Sequence, residues 1–280
     1  MTILLRYKNW LRGSWPVTML AATVALVTLA PLLWMVSVSF MAPGEAASFP
    51  PPLLPSAPTL ENYRTLFVVH GISRYFGNSV LLASLATLLA LLFVVPAGYA
   101  FAKLRFTGRD AVFRMLVAAL VVPGQIGMLP LFLELKAMGL VNSYAGALVP
   151  WLAGIFGIFL VRQYCLSLPD EMLEAARIDG ASETRIFTSI VLPTLTPVIV
   201  TLALFVFLGS WNDFMWPLII LADQDLYTLP VALAALSREH VQDNELMMAG
   251  SVVTTLPVLV LFLALQRFYM SGLLAGSVKG

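Results

Sequence analysis

Two groups of polar residues in an otherwise apolar chain are of types that could do chemistry. The first lies in residues 167–197, SLPDEMLEAARIDGASETRIFTSIVLPTLTP. There Glu174 offers a carboxylate to a basic group, and the small Ala175 and Ala176 beside it let a helix enter a cleft closely. The second is the run from Gly209 to Pro217, GSWNDFMWP. Asn212 and Asp213 can hydrogen-bond a polar ligand there, while Trp211 and Trp216 can offer ring faces for stacking or belong to an interfacial aromatic belt. Gln125, which follows Pro123-Gly124 inside an apolar stretch, is either a third such group or a kink residue bonded to a neighbouring helix. These are groups suited to binding. No His, Ser and acid constellation converges, and no G-x-x-x-x-G-K-[ST] phosphate loop is present to cradle ATP.

The elements that hold these groups can be read from the same residues. Ser167 is placed to cap a helix with Asp170 as its box partner and Pro169 in the first turn. That helix carries Glu174 to Ala176 and ends at Asp179-Gly180, where glycine supplies a left-handed stop. Ser182 opens a second helix whose Ile186, Phe187, Ile190 and Val191 recur at three- and four-residue spacing, a stripe for burial against other helices. Pro193 and Pro197 follow it. Helix, glycine turn and amphipathic helix together make a polar knob between two apolar segments.

Glu174-Ala175-Ala176, Gly180 four residues after Ala176, then Ile190, Leu192 and Pro193 resemble the EAA loop of bacterial ABC importer permeases at each signature position. Asp179, Ala181 and Phe187 resemble its carbohydrate-importer branch, as do TLENYRTLF (59–67), RYFGNS (74–79) and the closing residues 271–280. The resemblance runs nearly end to end and implies an all-α polytopic membrane protein. It implies a single transmembrane domain over residues 1–280, with about six membrane helices. The EAA loop, about 164–193, would be the coupling element, with Glu174, Ala175, Ala176, Asp179, Gly180 and Ala181 docking an ATPase.

Composition agrees with a membrane protein independently of the resemblance. The mean hydropathy is +0.90, and only 11% of residues are charged. Stretches free of charge predict six spans, near 17–36, 76–102, 115–133, 145–160, 194–221 and 247–265. The first follows Arg6, Lys8 and Arg12 like a signal peptide, but its apolar core is too long for one and runs through Pro31. With the N-terminus in the cytoplasm, only Arg64, Arg74, Lys136 and Arg238 of the 16 basic residues fall outside, which places both termini and the EAA loop inside. The net charge of +1 gives no reason to expect nucleic acid. Cys165 stands alone, so no disulfide can form within the chain, and it reads as a buried filler. His70 and His240 have no ligand set around them, so no metal is expected.

The outer segments are expected at about 41–75, extended around Phe49-Pro50-Pro51-Pro52 with a short helix near Leu60 to Tyr63, and at 222–246, which is rich in acids. In span two, the small residues of Pro96-Ala97-Gly98-Tyr99-Ala100 predict a close helix approach. Counting about 1.5 Å per residue from Thr194 puts Asp213 roughly 28 Å along span five, towards its outer end. The expected function is the permease subunit of a bacterial importer for a sugar or polyol, in the inner (plasma) membrane. The resemblance implies a second, similar permease, two ATPase subunits that bind ATP and magnesium, and an extracytoplasmic solute-binding protein reached by the 222–246 loop. Another solute, such as glycerol phosphate, is the alternative within that class. An ion-coupled carrier is the rival outside it, and the scarcity of intramembrane ionisable residues besides Asp213 argues against it.

Overall fold

The structure, a computed structural model, describes residues 2–239 and 243–277, and the side-chain surroundings of 15–238 and 243–264. The expectations placed on His240 and on residues 278–280 lie outside the described residues. Every regular element described is helical. In order these are α1 (Thr2–Ser39), α2 (Glu61–Arg64), α3 (Ile72–Lys103), α4 (Arg109–Ala119), α5 (Gly124–Ala137), α6 (Tyr144–Leu148), α7 (Ile155–Leu166) and α8 (Asp170–Ile178). Then follow α9 (Glu183–Ile186), α10 (Leu192–Thr194), α11 (Thr196–Trp211), α12 (Met215–Ile220), α13 (Leu229–Glu239) and α14 (Asn244–Ser277).

Three helices are long and apolar enough to cross a membrane unbroken, over Trp15–Ser39, Ile72–Lys103 and Asn244–Ala264. The other expected spans are each broken. Arg109–Ala119 and Gly124–Ala137 meet at 106°, Tyr144–Trp151 and Ile155–Leu166 at 41°, and Glu183–Thr194 and Thr196–Trp211 at 78°. Counting each bent pair once gives up to six crossings. The first break falls just before Pro123-Gly124, because proline has no N–H for the ladder and disfavours helix in the residue before it.

The chain divides into two compact units, Met1–Gly71 with Ala235–Thr255 and Ile72–Ala234 with Leu256–Gly280. In the first, residues 48–60 contain no α-helix, as their prolines predict, and side chains tie them down. Trp34 Nε1 donates to the Pro52 carbonyl at 3.2 Å, and Ser37 Oγ to that of Leu53 at 2.6 Å. Asn62, on the predicted short helix, is buried and donates to the carbonyls of Ser39 and Met41 at 3.0 and 2.8 Å. Two glutamates complete the frame. Glu45 accepts from the Ser56 and Ala42 N–H groups at 2.6 and 3.1 Å, and the Ser56 bond holds its carboxyl below the usual carboxylate range. Glu245 belongs to the acid-rich outer segment expected at 222–246. It is fully buried, in the first turn of α14 where the helix dipole favours an acid, and accepts from the Ala46 N–H at 2.6 Å.

The second unit is built on α3, which lies against both α7 and α11. One core joins Val94, Val95 and Tyr99 of α3, Val161 and Cys165 of α7, and Val198 and Leu202 of α11. Cys165 is the buried filler its isolation suggested. Glycine lets α3 and α7 meet closely: a Cβ on Gly98 would stand 2.6 Å from Val161 Cβ, which only a residue without a side chain permits.

Candidate functional site

The knob forms as the residue types require, except at its entry. Ser167 does not cap the helix bearing Glu174. It ends α7 instead, its Oγ donating to the Tyr164 carbonyl at 2.7 Å, and Pro169 precedes Asp170 at the start of α8. The exit is as predicted. Gly180 has φ +79°, its N–H donates to the Arg177 carbonyl at 3.0 Å, and the Ala181 N–H to that of Ala176 at 3.0 Å, which closes α8 in a Schellman motif. Ser182 then caps α9, accepting from the Arg185 N–H at 3.3 Å. From Phe187 to Val191 the helix widens into a π turn before α10, so the predicted second helix is continuous in path but not uniform in winding.

One face of this element is buried and the other is offered. Leu173, Ile186 and Val191 sit in the core with α3, α7 and α11, while Ala176 and Ala181 lie partly buried beside them. Glu174, Ala175, Asp179 and Gly180 are exposed. So is Ile178, at 86%, one helical turn beyond Glu174 and on its face. Sequence reasoning passed over Ile178, although an isoleucine on the polar side of an amphipathic helix was a visible signal.

Charge pairs brace the knob against α3. Lys103 Nζ donates to the Leu168 carbonyl at 2.7 Å and to Asp170 Oδ1 at 2.5 Å. Arg177 Nε donates to Glu183 Oε1 at 2.6 Å, and Tyr99 Oη to Glu183 Oε2 at 3.1 Å. The hydrogen bond from Lys103, then its charge, holds the Asp170 carboxyl below the usual carboxylate range; the bond from Arg177 does the same for Glu183. Both acids therefore stay ionised near neutral pH and keep the two helices of the knob in one orientation.

The second set of candidates is not brought together in one place. Gln125 is exposed at the start of α5, beside the break. Asn212 and Asp213 fill the short break between α11 and α12. Asn212 is exposed and turns its Nδ2 back to the Leu208 carbonyl at 2.8 Å; Asp213 Oδ1 accepts from the Trp216 N–H at 3.3 Å, supporting the start of α12. The two tryptophans differ from the expectation of open stacking faces. Trp211 is 1% exposed, stacked with Phe207 at 6.0 Å and edge-on to Phe76 at 5.6 Å. Trp216 is buried with its Nε1 donating to the Gly146 carbonyl at 3.2 Å. Burying an indole recovers more apolar area than any other side chain in this segment, provided its N–H finds a partner.

Trp151, the other indole of this unit, is only partly buried, and composition alone did not separate it from Trp211 and Trp216. It stands at the break before α7 and lies against α11, where a Cβ on Gly209 would be 2.9 Å from its ring. It makes no hydrogen bond or ring contact among the described residues. With Gly154, Gly157, Leu202, Phe205 and Val206 it lines an apolar cavity of about 230 Å³. Two interrupted helices thus meet at a cavity, the setting in which irregular backbone is tolerated at membrane depth.

Residues 94–272 match the family of binding-protein-dependent transport system inner membrane components. The chain is 38% identical over 270 residues to an arabinooligosaccharides transport system permease protein of Halalkalibacterium halodurans, covering 95% of this chain and 97% of the relative. It is 34% identical over 259 residues to a diacetylchitobiose uptake system permease protein of Streptomyces coelicolor, covering 91% and 84%. A crystal structure of a bacterial ABC transporter involved in the import of the acidic polysaccharide alginate shares the fold, with a TM-score of 0.81 at 22% identity over 90% of this chain and 94% of that one.

Proposed function

The chain belongs to the inner membrane components of binding-protein-dependent transport systems, the permease subunits of ABC importers, and we propose that it forms one half of the membrane pore of a bacterial carbohydrate importer. It pairs with a second, similar permease, and each half carries an ATPase subunit. The observation that carries this reading is the exposed face Glu174, Ala175 and Ile178 on a knob braced to α3 by Lys103–Asp170 and Tyr99–Glu183. A push on that face reaches the bundle as a rigid displacement, because the knob shares a core with α3, α7 and α11. The chain itself is not an enzyme. It lacks a phosphate loop, so ATP is bound and hydrolysed on the partner subunits.

A carbohydrate as solute follows from the relatives that carry arabinooligosaccharides and diacetylchitobiose in their names. In this chain the route runs past the helix breaks, with Asn212, Asp213 and Gln125 as its polar groups and Trp151 as its partly exposed aromatic face. Trp211 serves that route by packing: it anchors the end of α11 against Phe76 and so fixes where the break begins. The single domain, the six crossings, the cytoplasmic termini and an outer 222–246 loop that meets the solute-binding protein belong to the same reading.

Purifying the native complex and identifying its subunits and retained solute by mass spectrometry tests this directly. A second permease, ATPase subunits and a saccharide are expected; a complex that holds an amino acid or a metal chelate would overturn the carbohydrate assignment. Topology has its own test, in a background without Cys165. Ser182→Cys should react with impermeant thiol reagents only from the cytoplasmic side, and Ser237→Cys only from outside. The reverse pattern would remove the knob from the compartment where ATP is hydrolysed.

A further inference from the structure

The basic residues between α3 and α4 read from sequence as topology anchors, but the structure divides them into engaged and free. Lys103 is committed to Leu168 and Asp170, with its side chain only 5% exposed. Arg162 Nε donates to the Phe101 carbonyl at 3.2 Å, and its guanidinium lies 4.0 Å over the Phe113 ring. Arg109 pairs with Asp110 at 3.0 Å and donates to the Leu104 carbonyl at 3.2 Å. Arg105 and Arg114 are exposed and make no hydrogen bond or ion pair among the described residues. Arg114 stands four residues after Asp110, on the same face of α4.

Arg105 and Arg109 line an open cavity of about 380 Å³ with Phe106, Gly108, Asp110 and Ala111, and Arg114 acts on the Asp110 carboxylate from one turn further along α4. Phe106 is its aromatic lining residue, packed on Phe101 at 5.7 Å, which in turn packs on Phe113 at 5.6 Å. Bare apolar side chains continue from it along α4: Phe106 in the lining and Val112 are each 45% exposed, and Met115, one turn beyond Ala111, is 72% exposed. The field at the mouth is positive, since Arg109, and then Arg114 and Arg162, hold the Asp110 carboxyl below its usual range. A solvated anchor would need neither the cavity nor the bare apolar side chains beside it.

We propose that this cavity holds the headgroup of an anionic phospholipid, with Arg105 and Arg114 as its free phosphate donors and the acyl chains descending along Phe106, Val112 and Met115. Guanidinium groups match phosphate oxygens in pairs, and a cationic mouth beside exposed apolar side chains at the end of a membrane helix is complementary to a lipid rather than to a free anion. The whole importer, reconstituted in phosphatidylcholine vesicles with and without phosphatidylglycerol, supplies the test. After extraction, native mass spectrometry should find phosphatidylglycerol retained on the unaltered complex. Retention should fall roughly thirtyfold in Arg105→Gln/Arg114→Gln, as two lost contacts of this kind imply. Equal retention in both complexes would overturn the proposal. So would displacement of the lipid from the unaltered complex by inorganic phosphate alone, which would make this a free-anion site. Loss of ATPase subunits from the variant with lipid retained would make the surface a protein interface and overturn it as well. The same spectra report subunit stoichiometry, and none of these outcomes depends on which solute is carried.

Discussion

Complexes bearing Glu174→Lys or Ile178→Asp are expected to purify without their ATPase subunits, and to show no solute-stimulated ATP hydrolysis, while the permease still inserts. Both side chains are exposed on the outer face of α8, so neither change disturbs the permease's own core. Glu174→Lys reverses the charge that a basic cleft would receive. A like-charge contact across a close interface costs several kcal/mol, and at about 1.4 kcal/mol per decade that is a hundredfold or more in affinity. Ile178→Asp forfeits about 1.5–3 kcal/mol of side-chain burial and adds the cost of desolvating an acid. Leu173→Ala is the contrast. Leu173 is 1% exposed within the core, so its truncation should cost about 2–5 kcal/mol of permease stability and lower the yield of folded protein. If the two face variants keep stoichiometric ATPase and normal uptake, the exposed face of α8 is not the docking surface.

Much of the knob was legible because local rules decide it. Gly180 must adopt positive φ, Ser182 must satisfy the first free N–H groups of α9, and the stripe of Ile186 and Val191 must find a core. What was not legible depends on neighbours distant in sequence. Ser167 has the residue type of a cap, yet α7 runs on to Leu166 and Ser167 ends that helix rather than starting the next. The widened turn at Phe187–Val191 has no composition of its own. Glu245 was one acid among several in its segment, and its burial with Oε1 on the Ala46 N–H, 199 residues away in the chain, depends on a neighbour that no local pattern announces.

The route residues show the same division. The break before Pro123-Gly124 was visible as punctuation of an apolar run, whereas the one around Asn212 fell inside a span expected to run unbroken over 194–221 and showed only as a polar group. Which of the tryptophans would stay partly exposed was not visible, because Trp151, Trp211 and Trp216 all sit in similar apolar contexts. Packing chose among them. Trp211 found Phe76 and Phe207, Trp216 found the Gly146 carbonyl, and Trp151 was left facing a cavity beside Gly209.

The close contact of α3 with α7 makes the other large prediction. Gly98→Val should abolish recovery of folded, coupled complex, and Gly98→Ala should come close to doing so. A Cβ at this position would lie 2.6 Å from both Val161 Cβ and Cγ1 and 3.1 Å from the Arg162 backbone nitrogen. None of these is the far end of a flexible side chain, so relief requires α3 and α7 to separate. Overpacking of this kind costs about 1–3 kcal/mol even where the surroundings can adjust. Here they adjust poorly, because Val94, Val95, Tyr99, Val161 and Cys165 all depend on the same spacing. Function should suffer beyond stability, since α7 leads within three residues into α8 and the Lys103–Asp170 pair spans the same gap. Two controls separate this account from a general intolerance of side chains in α3. Gly77 lies on the same helix with nothing within 4 Å of its would-be Cβ, so Gly77→Ala should be neutral or stabilise by about 0.5–1 kcal/mol. Val161→Gly combined with Gly98→Ala moves the missing side chain to the other helix, and the pair should recover stability that Gly98→Ala alone loses. Thermal unfolding of the purified complexes reads all of these; a double variant no better than Gly98→Ala would mean that the contact with Val161 is not what requires glycine at position 98.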